Sequence, residues 1–320
     1  MQKASQILKK EIEILNPKLK LAIASSNNWV NKVMYFIVKR KGKQLRPILV
    51  LLCAKINGTI NDSSYRAANM VEILHTATLV HDDVVDNANQ RRGFFSLNAL
   101  WGSKAAILTG DYLLAKGLLL ALESKDFFIL EILSGAVKAM SEGELLQLLK
   151  ARRLDITEEI YFDIIKGKTA SLFAAACAVG AYSTSNNDAT TNTFKLFGEK
   201  AGIAFQIKDD IMDYSQNEIG KPTGNDIKER KLTLPLIYTL TKCTKSEKAT
   251  LINTIKNNNN NANKVAEVHA LVKKYNGIAY AEETMKKYAN EAKAIISHIP
   301  ETEEKKALLD VIDYFIARSY

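Results

Sequence analysis

Cysteine, proline and long apolar runs are scarce in this chain, and each scarcity excludes something. The 320 residues hold three cysteines, Cys53, Cys177 and Cys243, scattered along the sequence and odd in number. They match neither a disulfide framework nor a metal-ligand spacing, and they read as core thiols. Five prolines leave long stretches free to be helical. No unbroken apolar run approaches the roughly 20 residues of a membrane span. The longest, ILVLLCA at 48–54 and GLLLAL at 117–122, fall far short of it. The N-terminal stretch MQKASQILKKEIEIL mixes Lys with Glu and lacks an apolar signal core, so the expectation is a cytoplasmic chain with no transmembrane segment. A dense Lys/Arg stripe interleaved with aromatics is also missing. The net charge of +9 is thereby left to small anionic substrates, an anionic membrane surface or a solvated basic surface, and no nucleic-acid partner is expected.

Strand-like alternation is hard to find as well. Apolar residues recur instead at helical spacing through 65–86, 105–122, 126–150, 158–182, 193–214 and 232–242. Turn signals are confined to 57–62, 183–188, 219–226 and the asparagine run Asn257 to Asn261, which reads as a surface loop. There is no internal repeat and no linker long enough to split the chain. The expectation is a single all-α domain over 1–320, a bundle of about ten or more helices.

What is present is acid in unusual places. Residues 75–93 read HTATLVHDDVVDNANQRRG. On a helix at about 100° per residue, His75, Thr78, Asp82 and Asp86 share one stripe, while Asp83 points about 100° away. A second cluster reads FQIKDDIMDY, with Gln206, Asp209, Asp210 and Asp213 at the i, i+3, i+4, i+7 spacing normally given to a buried face. Carboxylates concentrated on otherwise apolar helices need a cation. Oxygen-only ligands point to a hard ion, above all Mg²⁺, whose shell is completed by water and substrate phosphates. Asp82, Asp86, Asp209 and Asp213 are therefore the candidate metal ligands. Glu72-x-x-His75 also resembles half of a di-iron carboxylate site, but no second ExxH occurs among the four histidines.

Anionic substrates need basic side chains too. GKQLRP at 42–47 sets Lys43 and Arg46 on what reads as one helix face before Pro47. Arg91 and Arg92 follow the first acid cluster in a short polar loop, Lys168 lies within the apolar KGKTASLFAAACA, and Lys221 sits in the turn GKPTGND. Arg suits bidentate phosphate binding, and Lys acts as a point charge.

With these residues in place, the sequence resembles the trans-isoprenyl diphosphate synthases, or polyprenyl synthetases, of the medium- to long-chain type. The motifs are GKQLRP, EILHTATLVHDDVVDNANQRRG, GDYLLA, SEGELLQL, GKTASLF, FQIKDDIMDY and GKPTGNDIKERKLTLPLIY. The resemblance implies the isoprenoid synthase fold, helices around a deep central cavity, with Asp82 and Asp86 facing Asp209 across it. It implies about three Mg²⁺ ions per site, an allylic diphosphate bound by Arg91, Lys168, Gln206, Lys221 and Lys231, and isopentenyl diphosphate bound by Lys43, Arg46, His75 and Arg92. Lys168, Thr169 and Gln206 would be catalytic, with Thr169 and Gln206 placing oxygens near the developing carbocation. A homodimer, with peripheral membrane contact for product release, is the implied assembly. The chain departs from common family patterns at Gln44, at Phe94 and Phe95 after RRG, and at Arg230 before Lys231.

The implied reaction extends an allylic diphosphate by isopentenyl diphosphate, giving a hexa- to octaprenyl product for quinone side chains. Leu74, Ala77 and Thr78, upstream of the first acid cluster, are the expected length-setting positions: the tail would run back along the helix about 5.4 Å per turn. Short-chain farnesyl or geranylgeranyl synthesis, a terpene cyclase and a non-catalytic synthase subunit are the alternatives. Lys43, Arg46 and His75 weigh against the cyclase, and two intact acid clusters against the inactive subunit.

Overall fold

A computed structural model describes residues 1–39, 42–91, 93–214 and 224–318. These residues group into two compact units. Unit 1 comprises Met1–Val137, Leu172–Gly198 and His298–Val311, and unit 2 comprises Lys138–Ser171, Glu199–Ser297 and Ile312–Tyr320. The all-α expectation holds. In chain order the helices are α1 (Gln2–Ile7), α2 (Lys9–Ala22), α3 (Asn28–Lys39), α4 (Leu45–Asn57), α5 (Asp62–Val85), α6 (Leu97–Glu123), α7 (Phe127–Arg153) and α8 (Glu158–Ile165). A π-helical turn, Lys166–Ala170, then leads into α9 (Ser171–Ser185) and α10 (Asp188–Met212). The remainder are α11 (Asn225–Lys228), α12 (Leu234–Lys242), α13 (Lys245–Asn257), α14 (Ala262–Lys274), α15 (Gly277–Ile295) and α16 (Glu303–Ala317). The only β structure among the described residues is a two-residue hairpin. In it β1 (Gln90–Arg91) pairs antiparallel with β2 (Phe94–Phe95), just after the first acid cluster.

In unit 1, α5 is launched by a reciprocal cap. Asn61 Oδ1 accepts from the Ser64 backbone N–H at 3.0 Å, and Ser64 Oγ accepts from the Asn61 N–H at 3.3 Å. The register fixed there carries through to Asp82 and Asp86. α4 buries every side chain from Pro47 to Ala54, and α9 every one from Leu172 to Ala181. The interior of this unit is thus filled by helices with almost no polar face. Leu19, Ile23, Val33, Ile73, Ala77, Val80, Ala106 and Leu113 pack together in a hydrophobic cluster of the same unit.

In unit 2, the close approach of α7 to the π-helical turn dictates two glycines. A Cβ on Gly143 would lie 2.7 Å from the Lys168 backbone nitrogen, and one on Gly167 would lie 2.8 Å from the Ala139 carbonyl oxygen. Both glycines belong to motifs quoted above, SEGELLQL and GKTASLF. Their smallness lets the turn that carries Lys168 and Thr169 rest directly on a neighbouring backbone.

The shortness of the apolar runs conceals one property. Leu97–Glu123 and Glu158–Ser185 are each long and apolar enough, averaged over a window, to cross a membrane, with 33% and 78% of those windows buried. Single polar residues such as Lys104, Asp111 and Lys116 break the runs of α6 without lowering its mean. The second stretch is core helix. α6, by contrast, leaves Leu100, Trp101, Ile107, Leu108, Leu118, Leu119 and Leu122 exposed.

Candidate active site

In unit 1, the first acid cluster stands at the C-terminal end of α5. Asp82 is half-buried, Asp83 is buried at 3% exposure, and Asp86 is exposed as the residue that closes the helix. Asp83 faces away from the other two, as the helical geometry predicts, and its partner is Arg91: Nε donates to Oδ1 at 2.6 Å. Burial pushes the Asp83 carboxyl upward, and the Arg91 charge opposes the shift. The hairpin turn therefore does structural service: it folds Arg91 back under the helix end. Arg92 lies outside the described residues.

A second basic element of unit 1 is Arg46, whose Nη1 lies 2.9 Å from His75 Nε2 and whose guanidinium rests 4.9 Å from the centre of the Phe173 ring. The structure thus brings together two of the residues assigned to isopentenyl diphosphate. Lys43 does not share their helix face. α4 begins at Leu45 after Gln44, which adopts a left-handed conformation at φ 47°, so Lys43 belongs to the preceding loop. Pro47 explains the late start, since it lacks an N–H and is tolerated only in a helix's first turn.

Leu74, Ala77 and Thr78 occupy three different settings. Leu74 and Ala77 are buried, Ala77 completely. Thr78 is half-buried, and its hydroxyl donates to the His75 carbonyl at 2.8 Å. A cavity of about 110 Å³ opens beside α5, but it is lined by Ile73, Thr76, Leu79, Val80, Phe36 and Leu113 among others, and by none of those three. That face is about a third of a turn from Asp82.

In unit 2, the second acid cluster stands at the C-terminal end of α10, which stops at Met212. The expected four-residue acid stripe is therefore one residue shorter than its spacing suggests. Asp213 lies past the helix, and its two carboxylate oxygens accept the backbone N–H groups of Asn225 and Asp226, each at 3.1 Å. This carboxylate ties down the start of α11, as suits an acid at a helix N-terminus. Asp209 is 54% exposed at its side chain and accepts from Arg318 Nη2 at 3.0 Å. The Arg318 guanidinium lies over the Phe205 ring at 3.9 Å. Asp210 is buried. Tyr161 Oη donates to its Oδ2 at 2.7 Å and Gln206 Nε2 to its Oδ1 at 2.9 Å.

Lys168 and Thr169 come from the π-helical turn, a rare conformation that recurs at functional sites. Lys168 Nζ pairs with Glu144 at 2.5 Å. Thr169 Oγ1 donates to Gln206 Oε1 at 2.7 Å. Lys231 pairs with Glu229 and follows Arg230, whose φ of 58° explains why glycine is common at that place. Lys221 lies outside the described residues.

Sequence reasoning passed over Tyr161, Glu144, Asp226 and Arg318. Glu144 and Asp226 lay inside quoted motifs, in SEGELLQL and GKPTGND, and their acidity was the available signal. Burial, with Asp210 and Asp213 nearby, raises the Asp226 carboxyl. Nothing local marks Tyr161 or Arg318, because their roles depend on partners 49 and 109 residues away.

The donor chemistry fits Mg²⁺ and no softer ion. Asp82 and Asp86 stand one turn apart and offer only oxygen. Among the described residues no three His, Cys, Asp or Glu side chains converge to hold a metal. A bound ion would therefore complete its shell with water and ligand phosphate, which is how Mg²⁺ is usually held.

Comparison with known proteins agrees with this chemistry. The polyprenyl synthetase family model matches residues 27–272. The geranylgeranyl diphosphate synthase of Saccharolobus solfataricus is 34% identical over 315 residues, covering 95% of each chain. The octaprenyl diphosphate synthase of Escherichia coli is 30% identical over 320 residues, covering 99% of each. A solved polyprenyl synthase from Caulobacter crescentus, complexed with calcium and isoprenyl diphosphate, superposes with a TM-score of 0.93 at 30% identity, covering 100% of this chain and 98% of that one.

Burial lifts the Asp210 carboxyl to about 7, against the pull of its two hydrogen-bond donors. A carboxyl raised above its unfolded value of about 3.9 stabilises the fold fully below that value and loses the contribution as pH rises through the folded one. Wild type should therefore gain thermal stability relative to Asp210→Asn as pH falls from about 8 to about 5. Melting curves of both proteins across that range check this, and a constant gap would contradict the shift.

Proposed function

We propose a division of labour among these residues on one premise: the chain belongs to the polyprenyl synthetase family and is a prenyltransferase. It joins isopentenyl diphosphate to an allylic diphosphate. Asp82 and Asp86 of α5 and Asp209 of α10 hold the Mg²⁺ ions, about three by family expectation. When bound, the metal supplies Lewis-acid withdrawal of charge from the departing diphosphate. Arg91, Lys168 and Lys231 add fixed positive charge to the allylic diphosphate, and Lys43, Arg46 and His75 hold that of isopentenyl diphosphate. Thr169 and Gln206 present oxygen to the positive carbon left by ionisation. The alkene attacks that carbon and a proton is then lost. The chain offers no obvious base for it, and the released diphosphate is the acceptor. Asp213, which accepts the Asn225 and Asp226 backbone N–H groups, keeps a further lone pair on each oxygen as the fourth candidate Mg²⁺ ligand.

The observation that carries this reading is the sorting of the acids. In each cluster the first aspartate is accessible, and the second is buried and matched to a protein donor. Asp82→Ala and Asp209→Ala should each lower the condensation rate by about 10³-fold or more while leaving the circular dichroism unchanged. The assay is incorporation of labelled isopentenyl diphosphate with Mg²⁺ and an allylic starter. A folded variant of near-normal rate would sink the metal assignment.

We assign a product of about six to eight isoprene units, because neither Thr78, one turn upstream of Asp82 on its stripe, nor Ala77 beside it is aromatic. Synthases named for geranylgeranyl and for octaprenyl products are both similar to the chain, so the length rests on this local reading. Ala77 is too tightly packed to be informative, since a Phe there would overpack the core. Thr78→Phe is the discriminating variant. Its products, separated by chain length, should stop near farnesyl or geranylgeranyl diphosphate. An unchanged ladder would remove the basis for the assignment.

We also assign a homodimer that uses α6. Seven large apolar side chains exposed along one helix are more than an isolated chain ordinarily shows to water. Leu108, 67% exposed, is the natural probe. Light scattering on wild type should give twice the 35.6 kDa chain mass, and Leu108→Glu should shift it toward the monomer. A monomeric wild type would refute the assignment.

A further inference from the structure

The hydrogen bonds behind Thr169 run in one direction. Tyr161 Oη donates to Asp210 Oδ2 at 2.7 Å, Gln206 Nε2 donates to Asp210 Oδ1 at 2.9 Å, and Thr169 Oγ1 donates to Gln206 Oε1 at 2.7 Å. Each assignment forces the next. In its ionised form Asp210 only accepts, so the Gln206 amide turns its NH₂ toward Asp210 and its oxygen toward Thr169. The threonine proton is then committed to Gln206, and only lone pairs are left facing outward. Tyr161 and Asp210 are buried, at 4% and 6% exposure, and Thr169 is nearly so at 8%. Such a chain, held in a low-dielectric interior, polarises link by link.

The π-helical turn makes this geometry possible. On an unbroken α-helix the side chain closest to Tyr161's own stripe two turns on is Lys168, about 20° away. The wider turn at Lys166–Ala170 takes up about one extra residue. Thr169 moves into that position and Lys168 swings aside to Glu144.

We propose that Tyr161 and Asp210 are positioning residues that orient and polarise Thr169 through Gln206, so that its oxygen faces the positive charge formed on the allylic carbon. Both Asp210 oxygens are occupied by protein donors, which separates its role from that of Asp209 beside it. The proposal rests on the reading that Thr169 serves the carbocation. It places the benefit in the transition state, where charge develops, and not in the binding of either diphosphate.

A double-mutant cycle on the full-length protein tests it. Thr169→Val should lower kcat by about a hundredfold, comparable to removing one preorganised polar group from an active site. Tyr161→Phe should lower kcat by about tenfold while both KM values stay within about twofold. Because Tyr161 acts through Thr169, Tyr161→Phe should cost nothing further in the Thr169→Val background. Asp210→Asn gives an independent readout that does not depend on how Tyr161→Phe folds. It keeps the Tyr161 bond but presents an NH₂ that turns the Gln206 amide round, and its loss should again fall on kcat. Unchanged kcat in Tyr161→Phe, losses that multiply in the double variant, or losses in KM for both variants would overturn the relay. A Thr169→Val protein of normal kcat would instead overturn the carbocation role of Thr169 from which the relay starts.

Discussion

The structure depends on how it answers the charge of its carboxylates. Both acid clusters stand at the C-terminal ends of long helices, α5 ending at Val85 and α10 at Met212. The third acid of each, Asp86 or Asp213, is the first residue beyond the helix. A helix C-terminus carries partial negative charge from its unsatisfied carbonyls. Aspartates are among the least suitable residues to place there. The arrangement is self-consistent only if positive charge or strong donors arrive from elsewhere. The fold supplies them to some acids and leaves others accessible to a ligand.

The supply follows the same plan twice. In each pair of adjacent aspartates the second is buried and receives a protein donor: Asp83 from Arg91, Asp210 from Tyr161 and Gln206. These bonds hold the helix ends in fixed rotation, with Asp82 half-buried and Asp209 more open beside the buried acids. Burying a carboxylate without such partners would cost several kcal/mol, so removing a donor disturbs the aim of the accessible acid as well as the buried one. The Arg318 contact with Asp209 shows the accessible acid already attracting a cation from its own chain.

Much of this was legible in the sequence, and the illegible part has a physical explanation. Helical periodicity identified α5 and α10, and the 100° step separated Asp83 from Asp82 and Asp86. The same step failed for Asp213, because periodicity does not reveal where a helix stops. It failed for Lys43, because a proline in a first turn reads like a proline just inside one. The family resemblance assigns Arg91 to substrate, but its bond to Asp83 depends on the hairpin pairing of Arg91 with Phe94, which no alternation pattern announced. Tyr161 stayed invisible because a tyrosine on an apolar helix face is ordinary. Only the partner 49 residues away makes it more than core.

The π-helical turn connects these constraints to the chemistry. Ionising an allylic diphosphate separates charge: the diphosphate leaves with the electron pair of the C–O bond, and a carbon cation remains. A useful site must set positive groups toward the first and oxygen toward the second within a few residues. An α-helix places adjacent residues about 100° apart, and the inserted residue lets Lys168 and Thr169 take opposite assignments from neighbouring positions. Lys168 goes to the carboxylate of Glu144, and Thr169 to an amide backed by a buried carboxylate. The turn could not sit where it does without Gly143 and Gly167 at the crossing with α7. Two missing side chains thus decide the direction in which a lysine and a threonine act.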